Sequence, residues 1–222
     1  EQIAEIRKKF GVKTELGKRR TTIANAPEEV DLSIEALVDR EPVTVVVSEQ
    51  GWVRALKGHL SPDAEVKYKD GDKGRYWLHA QSTDKLVLFA TNGRFYTLAC
   101  DKLPGGRGNG EPVRLLLDLA NDQEIVDLMV HDPERKLLVA ATDGRGFVVE
   151  EKATVAQTRS GRQVLNVSGD VEAAVCAPVQ GDHLAVVGDN HKLIIFPIEE
   201  LPEMTRGRGV VLQKYRDGGL AD

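Results

Sequence analysis

A single pattern of apolar and polar positions recurs four times along this chain. Each copy has a short apolar run, a polar turn, a second apolar run and then a basic loop that contains glycine. The copies begin at Thr44, Lys85, Lys136 and His183. Their turns centre on Gly51, Gly93, Gly144 and Asn190. The resulting period of about 45 residues is typical of the blades of a circular β array. Features that recur once per repeat are therefore expected at corresponding places in the fold.

The apolar runs on either side of each turn predict the strands of four hairpins. Asn92-Gly93 and Asp143-Gly144 are strong turn signals, because these residues tolerate the positive backbone angles of tight hairpins. Further strands are predicted between the hairpins, at residues 66–68, 76–80, 113–119, 125–130, 164–167, 171–176 and 210–213. The total of about four strands per repeat matches a propeller blade. The expected core residues are Val45, Val47, Leu86, Leu88, Leu138, Val139, Val186 and Ile194.

The first forty residues have a different pattern. Ile3, Ile6 and Phe10 recur at helical spacing, which predicts a helix that ends at Gly11. A basic linker follows at residues 11–20, then a short β-branched strand at 21–23 and a helical turn at 33–38. From residue 41 onward the chain is predicted to be β structure.

Composition and spacing argue against several classes of function. The longest apolar runs, at residues 43–47 and 86–90, are far too short to cross a bilayer, so no membrane partner is expected. Cys100 and Cys176 lie in different repeats, which favours buried reduced thiols and a cytoplasmic location. The histidines have no metal-ligand spacing and neither thiol has an adjacent base. The sequence therefore predicts no catalytic residue, metal or cofactor in this domain, and leaves little support for a propeller hydrolase or lectin.

Basic residues recur in and after the hairpins. The formal net charge of −5 argues against nucleic-acid binding when taken alone, but local patches decide such binding. The candidate DNA-binding residues are Arg54, Lys57, His59, Arg94, Lys102, Arg107, Arg145, Arg159, Arg162, Lys192, Arg206, Arg208 and Lys214. Glycine beside many of them would let backbone N–H groups approach a phosphate that the cation neutralises. A belt of such clusters suits a bent polyanion, whereas charge that merely keeps loops soluble would give the same pattern.

The repeats resemble a known family. Residues 41–59, 103–112, 141–150 and 194–209 are similar to the C-terminal domain of the A subunit of bacterial topoisomerase IV. Residues 5–21 are similar to the end of the helical connector that leaves its DNA-cleavage core. The resemblance covers nearly the whole chain, and the paralogous gyrase A C-terminal domain is the alternative. A gyrase-type basic glycine-rich box is absent; the nearest segment, residues 103–110, has one arginine, Arg107.

The resemblance implies an all-β β-pinwheel, a propeller-like disc of four-stranded blades that exchange strands, with a short N-terminal helical connector. Residues 1–40 would be the connector, and residues 41–222 would be a DNA-binding domain of at least four blades that ends where a fifth could begin. The parent enzyme's catalytic tyrosine would lie in the missing core.

The resemblance also implies a function. The domain would bind and bend duplex DNA on its basic outer rim without sequence preference, and present the transported segment for decatenation and supercoil relaxation. Its partners would be double-stranded DNA, the rest of the topoisomerase IV polypeptide and the separate ATPase polypeptide in an A2B2 holoenzyme, at the nucleoid. The alternatives are a gyrase A wrapping domain and a protein-interaction platform that docks a chromosome-maintenance protein. The acidic segment at residues 28–41 favours the platform.

Overall fold

A computed structural model describes residues 1–18, 40–106, 108–213 and 220–221. The chain divides into two compact units, Glu1–Leu37 and Val38–Asp222. The first contains helix α1, Gln2–Phe10, whose side chains are exposed, and Gly11 leaves the helix in an extended conformation. The helix prediction is confirmed. The strand predicted at 21–23 and the helical turn at 33–38 lie outside the described residues, and the assignment of 1–40 to a connector stays a prediction.

The second unit consists mainly of short strands. The strands are β1 Pro42–Ser48, β2 Trp52–Lys57, β3 Gly74–Gln81, β4 Lys85–Ala90, β5 Arg94–Ala99, β6 Glu111–Pro112, β7 Ile125–Val130, β8 Lys136–Ala141, β9 Arg145–Glu150, β10 Arg162–Gln163, β11 Ala173–Pro178, β12 His183–Val187, β13 Leu193–Pro197 and β14 Val210–Val211. One further helix, α2, covers Val113–Leu116. Short 3-10 helices follow three of the hairpins, at Cys100–Lys102, Glu151–Ala153 and Ile198–Glu200.

Within the described residues the strands form four antiparallel sheets. The first has the order β3-β1-β2-β6, the second β10-β5-β4-β7 and the third β11-β8-β9-β14, while the fourth is the hairpin β12-β13. Each of these sheets is built on one predicted hairpin. The predicted all-β fold of repeated hairpins is confirmed.

Each four-stranded sheet takes one edge strand from a later part of the chain. β6 pairs with β2, Glu111 opposite Val53, only after the chain has completed the next hairpin, β4–β5. β10 pairs with β5 after the hairpin β8–β9, and β14 pairs with β9 after β12–β13. Neighbouring sheets are therefore joined by exchanged strands as well as by packing, as the resemblance to a β-pinwheel implied.

Three of the four hairpin turns share a side-chain hydrogen bond. The side-chain oxygens of Asn92, Asp143 and Asn190 accept the backbone N–H two residues further on, at 3.0, 3.2 and 3.1 Å. The intervening residue is Gly93, with φ of 72°, in the second hairpin, and His191, with φ of 60°, in the fourth. Placing the fourth turn centre at Asn190 is therefore wrong by one residue, because Asn190 supplies the side-chain bond and its neighbour takes the left-handed conformation.

The core lies between neighbouring sheets. On β4, Leu86 and Leu88 pack between the first and second sheets, and Val87 and Phe89 pack between the second and third. Because successive side chains of a strand point to opposite faces, one strand can serve two cores. Its sequence is consequently a continuous apolar run rather than an alternating one.

Seven of the eight expected core residues are buried. These are Val45, Val47, Leu86, Leu88, Leu138, Val139 and Val186. The prediction for Ile194 is wrong, because this residue is 40% exposed on β13.

Several strand predictions between the hairpins are wrong. Residues 113–119 begin as helix α2, since Pro112 starts the turn and the Leu117 N–H bonds the Val113 carbonyl. Residues 66–68 form no strand. Residues 164–167 contain only an isolated bridge at Leu165, because the N–H groups there bond the Gly93 carbonyl. The strand at 210–213 is shorter than predicted.

Candidate nucleic-acid interface

The two edges of each four-stranded sheet differ in which strands form them. β7 contacts both β3 and β11, so these edge strands gather on the inner side of the array. The exchanged strands β6, β10 and β14 form the opposite edge. The basic loops that precede the exchanged strands therefore lie along the outer edge of the sheets.

A glycine with positive φ precedes each exchanged strand. Gly110, Gly161 and Gly209 have φ of 85°, 70° and 76°. A Cβ at Gly161 would lie 2.8 Å from the Phe95 carbonyl oxygen, and Cβ atoms at the other two would meet the carbonyls of Val53 and Gly146. Glycine is required here because the loop backbone approaches the strand with which it is about to pair. This part of the glycine pattern is thus explained by strand exchange.

The second sheet has three arginines beside its exchanged strand. Arg162 lies on β10 and is exposed, and no ion pair joins its guanidinium to another described residue. Arg159 lies in the preceding loop, with Nε 3.8 Å from an oxygen of the exposed Asp118 carboxylate. Arg94, at the start of β5, donates to the Ser160 carbonyl at 2.8 Å. Three cations and one carboxylate leave this part of the edge positively charged.

The third sheet has a similar cluster. Arg208 Nη2 lies 3.0 Å from Asp143 Oδ2, and Arg145 Nε lies 3.8 Å from the same oxygen. Arg206 donates to the Asn166 side-chain oxygen at 3.3 Å. One carboxylate is shared by two guanidinium groups, so this cluster is also positively charged. Six of the candidate residues therefore meet along two neighbouring sheets, and they are called the outer-edge arginines: Arg94, Arg145, Arg159, Arg162, Arg206 and Arg208.

Arg54 does not lie on the surface, and its expected place on the rim is wrong. It is 6% exposed, and its guanidinium donates to the carbonyls of Gly108 and Lys67 and lies over the Tyr68 ring. A guanidinium with these partners holds two loops against the first sheet and is not free for a phosphate. An arginine at a strand position gives no sign of this in the sequence, because the partners come from loops on either side.

The remaining candidates lie elsewhere. Lys57 and His59 are exposed at the end of β2, Lys102 is exposed in the 3-10 helix after β5, and Lys192 is exposed in the turn before β13. Arg107 and Lys214 lie outside the described residues. Lys57, His59 and Lys102 are thus at the strand ends opposite the hairpin turns, whereas Lys192 corresponds in position to Arg94.

Two features of the first sheet were not predicted from the sequence. Trp52 stands where Arg94 and Arg145 stand in the next two sheets, and the Lys69 ammonium lies 3.8 Å from the centre of its ring. His79 stacks on His59. In both cases the partners are separated by about twenty residues, so no local spacing connects them.

The described residues give little support for a thiol nucleophile, a metal site or a membrane-spanning helix. Cys100 and Cys176 are buried free thiols. Burial raises the pKa of Cys100 to about 12 and raises that of Cys176 well above its usual value, so both are poor nucleophiles. In the described part of the chain no three His, Cys, Asp or Glu side chains come together as a metal site. None of the described helices is long and apolar enough to cross a bilayer.

Comparison with known families gives one partial match to a family model. Residues 84–132 and 182–220 match the model described as the DNA gyrase C-terminal domain, beta-propeller. These two segments contain the second and fourth hairpins.

Individual relatives match over more of the chain. The chain is 48% identical over 91% of its length to the A subunit of DNA topoisomerase 4 from Caulobacter vibrioides, and 41% identical over its whole length to that from Rickettsia bellii. It spans 27% and 30% of these two relatives. Among solved structures, the E. coli ParC C-terminal domain superimposes with a TM-score of 0.76 at 28% identity, covering 82% of this chain and 78% of that one.

Proposed function

The chain belongs to the family of DNA gyrase C-terminal domains, and on that premise we propose that it binds duplex DNA along the outer-edge arginines. One observation carries the proposal. Exposed guanidinium groups recur at the same place, beside the exchanged strand, on two consecutive sheets. Because the sheets repeat, these guanidinium groups are regularly spaced, and regularly spaced cations can contact successive phosphates of a duplex.

The proposed contacts are to phosphates. Guanidinium groups bind phosphate oxygens with charge-assisted hydrogen bonds, and such contacts position a duplex without reading its sequence. The net charge of −5 does not oppose this, because binding depends on the local field of the outer edge. A duplex that follows the edge from sheet to sheet must bend, and its deformability would then influence where it binds.

We further propose that this is the non-catalytic domain of the topoisomerase IV polypeptide that carries the DNA-cleavage core. In that setting it would present a bent duplex to the core, and so favour decatenation and relaxation by the holoenzyme that includes the ATPase polypeptide. The activity and the assembly belong to the whole enzyme, and this chain matches less than a third of the relatives' length.

A protein-interaction platform is the second candidate. Leu193 and Ile195 on β13 are each 59% exposed, and an exposed apolar strand is a common docking element. A partner captured through this strand would survive nuclease treatment and high salt, whereas a complex bridged by DNA would not.

Salt-dependent binding tests the DNA proposal. The 222-residue chain is titrated against a fluorescent duplex of about 40 base pairs, and about 4–6 phosphate contacts should lower the affinity by orders of magnitude between about 50 and 200 mM salt. Duplexes of different sequence should bind alike.

A pair of charge reversals tests whether DNA binds at the outer edge. Arg162→Glu should weaken binding about tenfold or more at low salt, since it removes one cation and adds a repulsive charge. Lys152→Glu makes the same charge change in the 3-10 helix at the far end of the third sheet's hairpin, and should have a much smaller effect. Equal effects of the two substitutions would exclude a specific outer-edge contact.

A further inference from the structure

Two histidines of the first sheet stack on each other at the surface. The ring centroids of His59 and His79 lie 4.7 Å apart and the rings are within 10° of parallel. His79 lies on β3, and His59 lies in the loop after β2, two residues beyond Lys57. Both side chains are exposed, and Gly58 beside them has φ of 80°, with nothing within 4 Å of the place that a Cβ would take. The pair is thus an accessible feature next to an exposed cation.

The hydrogen bonds of the pair determine which nitrogen carries the proton. His59 Nε2 lies 3.0 Å from the Ala80 carbonyl oxygen, and His79 Nε2 lies 2.7 Å from the Leu60 carbonyl oxygen. A carbonyl oxygen only accepts, so both Nε2 atoms must be the N–H donors. In the neutral rings each Nδ1 is then a lone-pair acceptor, which cannot hydrogen-bond to an anion. Nδ1 becomes a donor, and the ring becomes positive, only when a second proton binds.

The surrounding groups leave the pair without an acidic partner. β1 faces His79 with Thr44, whose hydroxyl bonds the Gly58 carbonyl and the Leu60 N–H. The charged residues on β2, on β3, in the loop at 58–65 and beside the strand ends nearest the pair are Glu41, Arg54, Lys57, Asp63, Glu65, Arg75 and Asp84. Among the described residues no ion pair joins a carboxylate to either ring. Protonation of the rings therefore has no internal counter-ion, and two adjacent positive rings would repel each other.

We propose that the His59–His79 pair is a phosphate contact that forms only with proton uptake. A DNA phosphate bound at the two Nδ1 atoms would supply the missing counter-ion, so that binding and protonation stabilise each other. The inference rests on the proposed DNA-binding function and adds to it a pH-dependent contact outside the outer-edge arginines. His59 lies at the strand end opposite the hairpin turn, and His79 lies on β3, at the other edge of the first sheet.

The test is the pH dependence of duplex binding at constant low salt. For each proton taken up with the duplex, the affinity should rise by up to about tenfold for each unit by which the pH falls, between about pH 8 and pH 6. In the double variant His59→Gln/His79→Gln the ratio of affinities at the two pH values should fall to below about twofold. Glutamine retains an amide N–H that can bond the carbonyls, and a circular dichroism spectrum at each pH checks the fold.

A matched control removes a different imidazole. His183 is exposed on the fourth sheet and bonds the Asp182 carboxylate at 2.8 Å. His183→Gln should keep the pH dependence of the unsubstituted chain. The same pH dependence in the double variant as in the unsubstituted chain would overturn the proposal, whereas absence of binding at every pH would overturn the DNA-binding function itself.

Nuclear magnetic resonance supplies an independent readout. The imidazole nitrogen shifts of the DNA-free chain at high pH should identify both rings as Nε2-protonated tautomers. Addition of duplex should change the Nδ1 shifts of both rings to those of the doubly protonated form. Finding either ring as the Nδ1-protonated tautomer would contradict the argument directly, whether or not DNA binds.

Discussion

Glu151 is fully buried, and its carboxylate is stabilised there by three neighbouring residues. Arg135 Nε lies 2.5 Å from one carboxylate oxygen, and His131 Nδ1 and the Asp132 N–H lie 3.0 and 2.9 Å from the other. The hydrogen bond to Glu151 is the main cause that raises the pKa of Arg135. The network joins the loop before β8 to the 3-10 helix after β9, so it holds both ends of one hairpin. The spacing of His131 and Glu151 gave no sign of it.

Removal of this carboxylate should be costly. Glu151→Ala leaves the Arg135 guanidinium partly buried without its partner, and loss of one member of a buried pair destabilises a protein by about 3–5 kcal/mol. Chemical denaturation followed by far-ultraviolet circular dichroism, which reports on all the sheets, measures the change. Glu199→Ala removes an exposed carboxylate from the corresponding 3-10 helix after β13, and should change stability by less than about 0.5 kcal/mol. A small effect at Glu151 would mean that the pair contributes little beyond its own desolvation.

At the scale of the element, strand exchange is the property that distinguishes this array from a set of separate hairpins. β10 has only two residues, Arg162 and Gln163, which pair with Phe95 and Arg94. So short a strand gains little from its own ladder and depends on the conformation of the loop before it. The preceding Gly161 therefore positions both the exchanged strand and its arginine.

Gly161→Ala should show how much the close approach of the loop to β5 matters beyond the strain that any alanine has at positive φ. Its Cβ would lie 2.8 Å from the Phe95 carbonyl oxygen and from the Tyr96 ring, in addition to the strain of φ at 70°. Gly169→Ala has similar strain, at φ of 64°, with nothing within 4 Å of the added atom. The first should destabilise the chain by at least about 1 kcal/mol more than the second and also weaken DNA binding. Equal losses in thermal unfolding would show that the close approach has no influence.

The elements differ in how far the sequence could predict them. The hairpins were predictable because continuous apolar runs flank turns with a strong local signal, as at Asn92-Gly93. The exchanged strands were not, because two residues have no periodicity and their partners lie about sixty residues away, as for Glu111 and Val53. The burial of Arg54 was not predictable either, because its carbonyl partners come from two loops that the local pattern does not connect to β2. Local chemistry thus specified the hairpins and the cationic loops, while pairing between repeats decided which cations reach the outer edge.

At the scale of the whole unit, the apolar cores of the described residues join sheets that follow one another in the chain. The three apolar cores join the first sheet to the second, the second to the third and the third to the fourth. Stability in such an array is a sum of local and nearest-neighbour contributions, so its ends need not be as stable as its middle. The middle strands β4 and β8 are buried on both faces, whereas β13 is exposed over most of its length.

Hydrogen exchange of the 222-residue chain should therefore be graded along the array. Amides of β4 and β8 should exchange last, because opening them requires the disruption of two cores and a four-stranded sheet. Amides of β12 and β13 should exchange first among the strands, because the described residues of that sheet form one hairpin with exposed Leu193 and Ile195. Mass spectrometry of peptic fragments measures both, and Leu88→Ala should accelerate exchange in the first and second sheets more than in the fourth. Uniform exchange of all strands would instead mean that the exchanged strands make the array one cooperative unit, with the hairpin β12–β13 held as firmly as the rest.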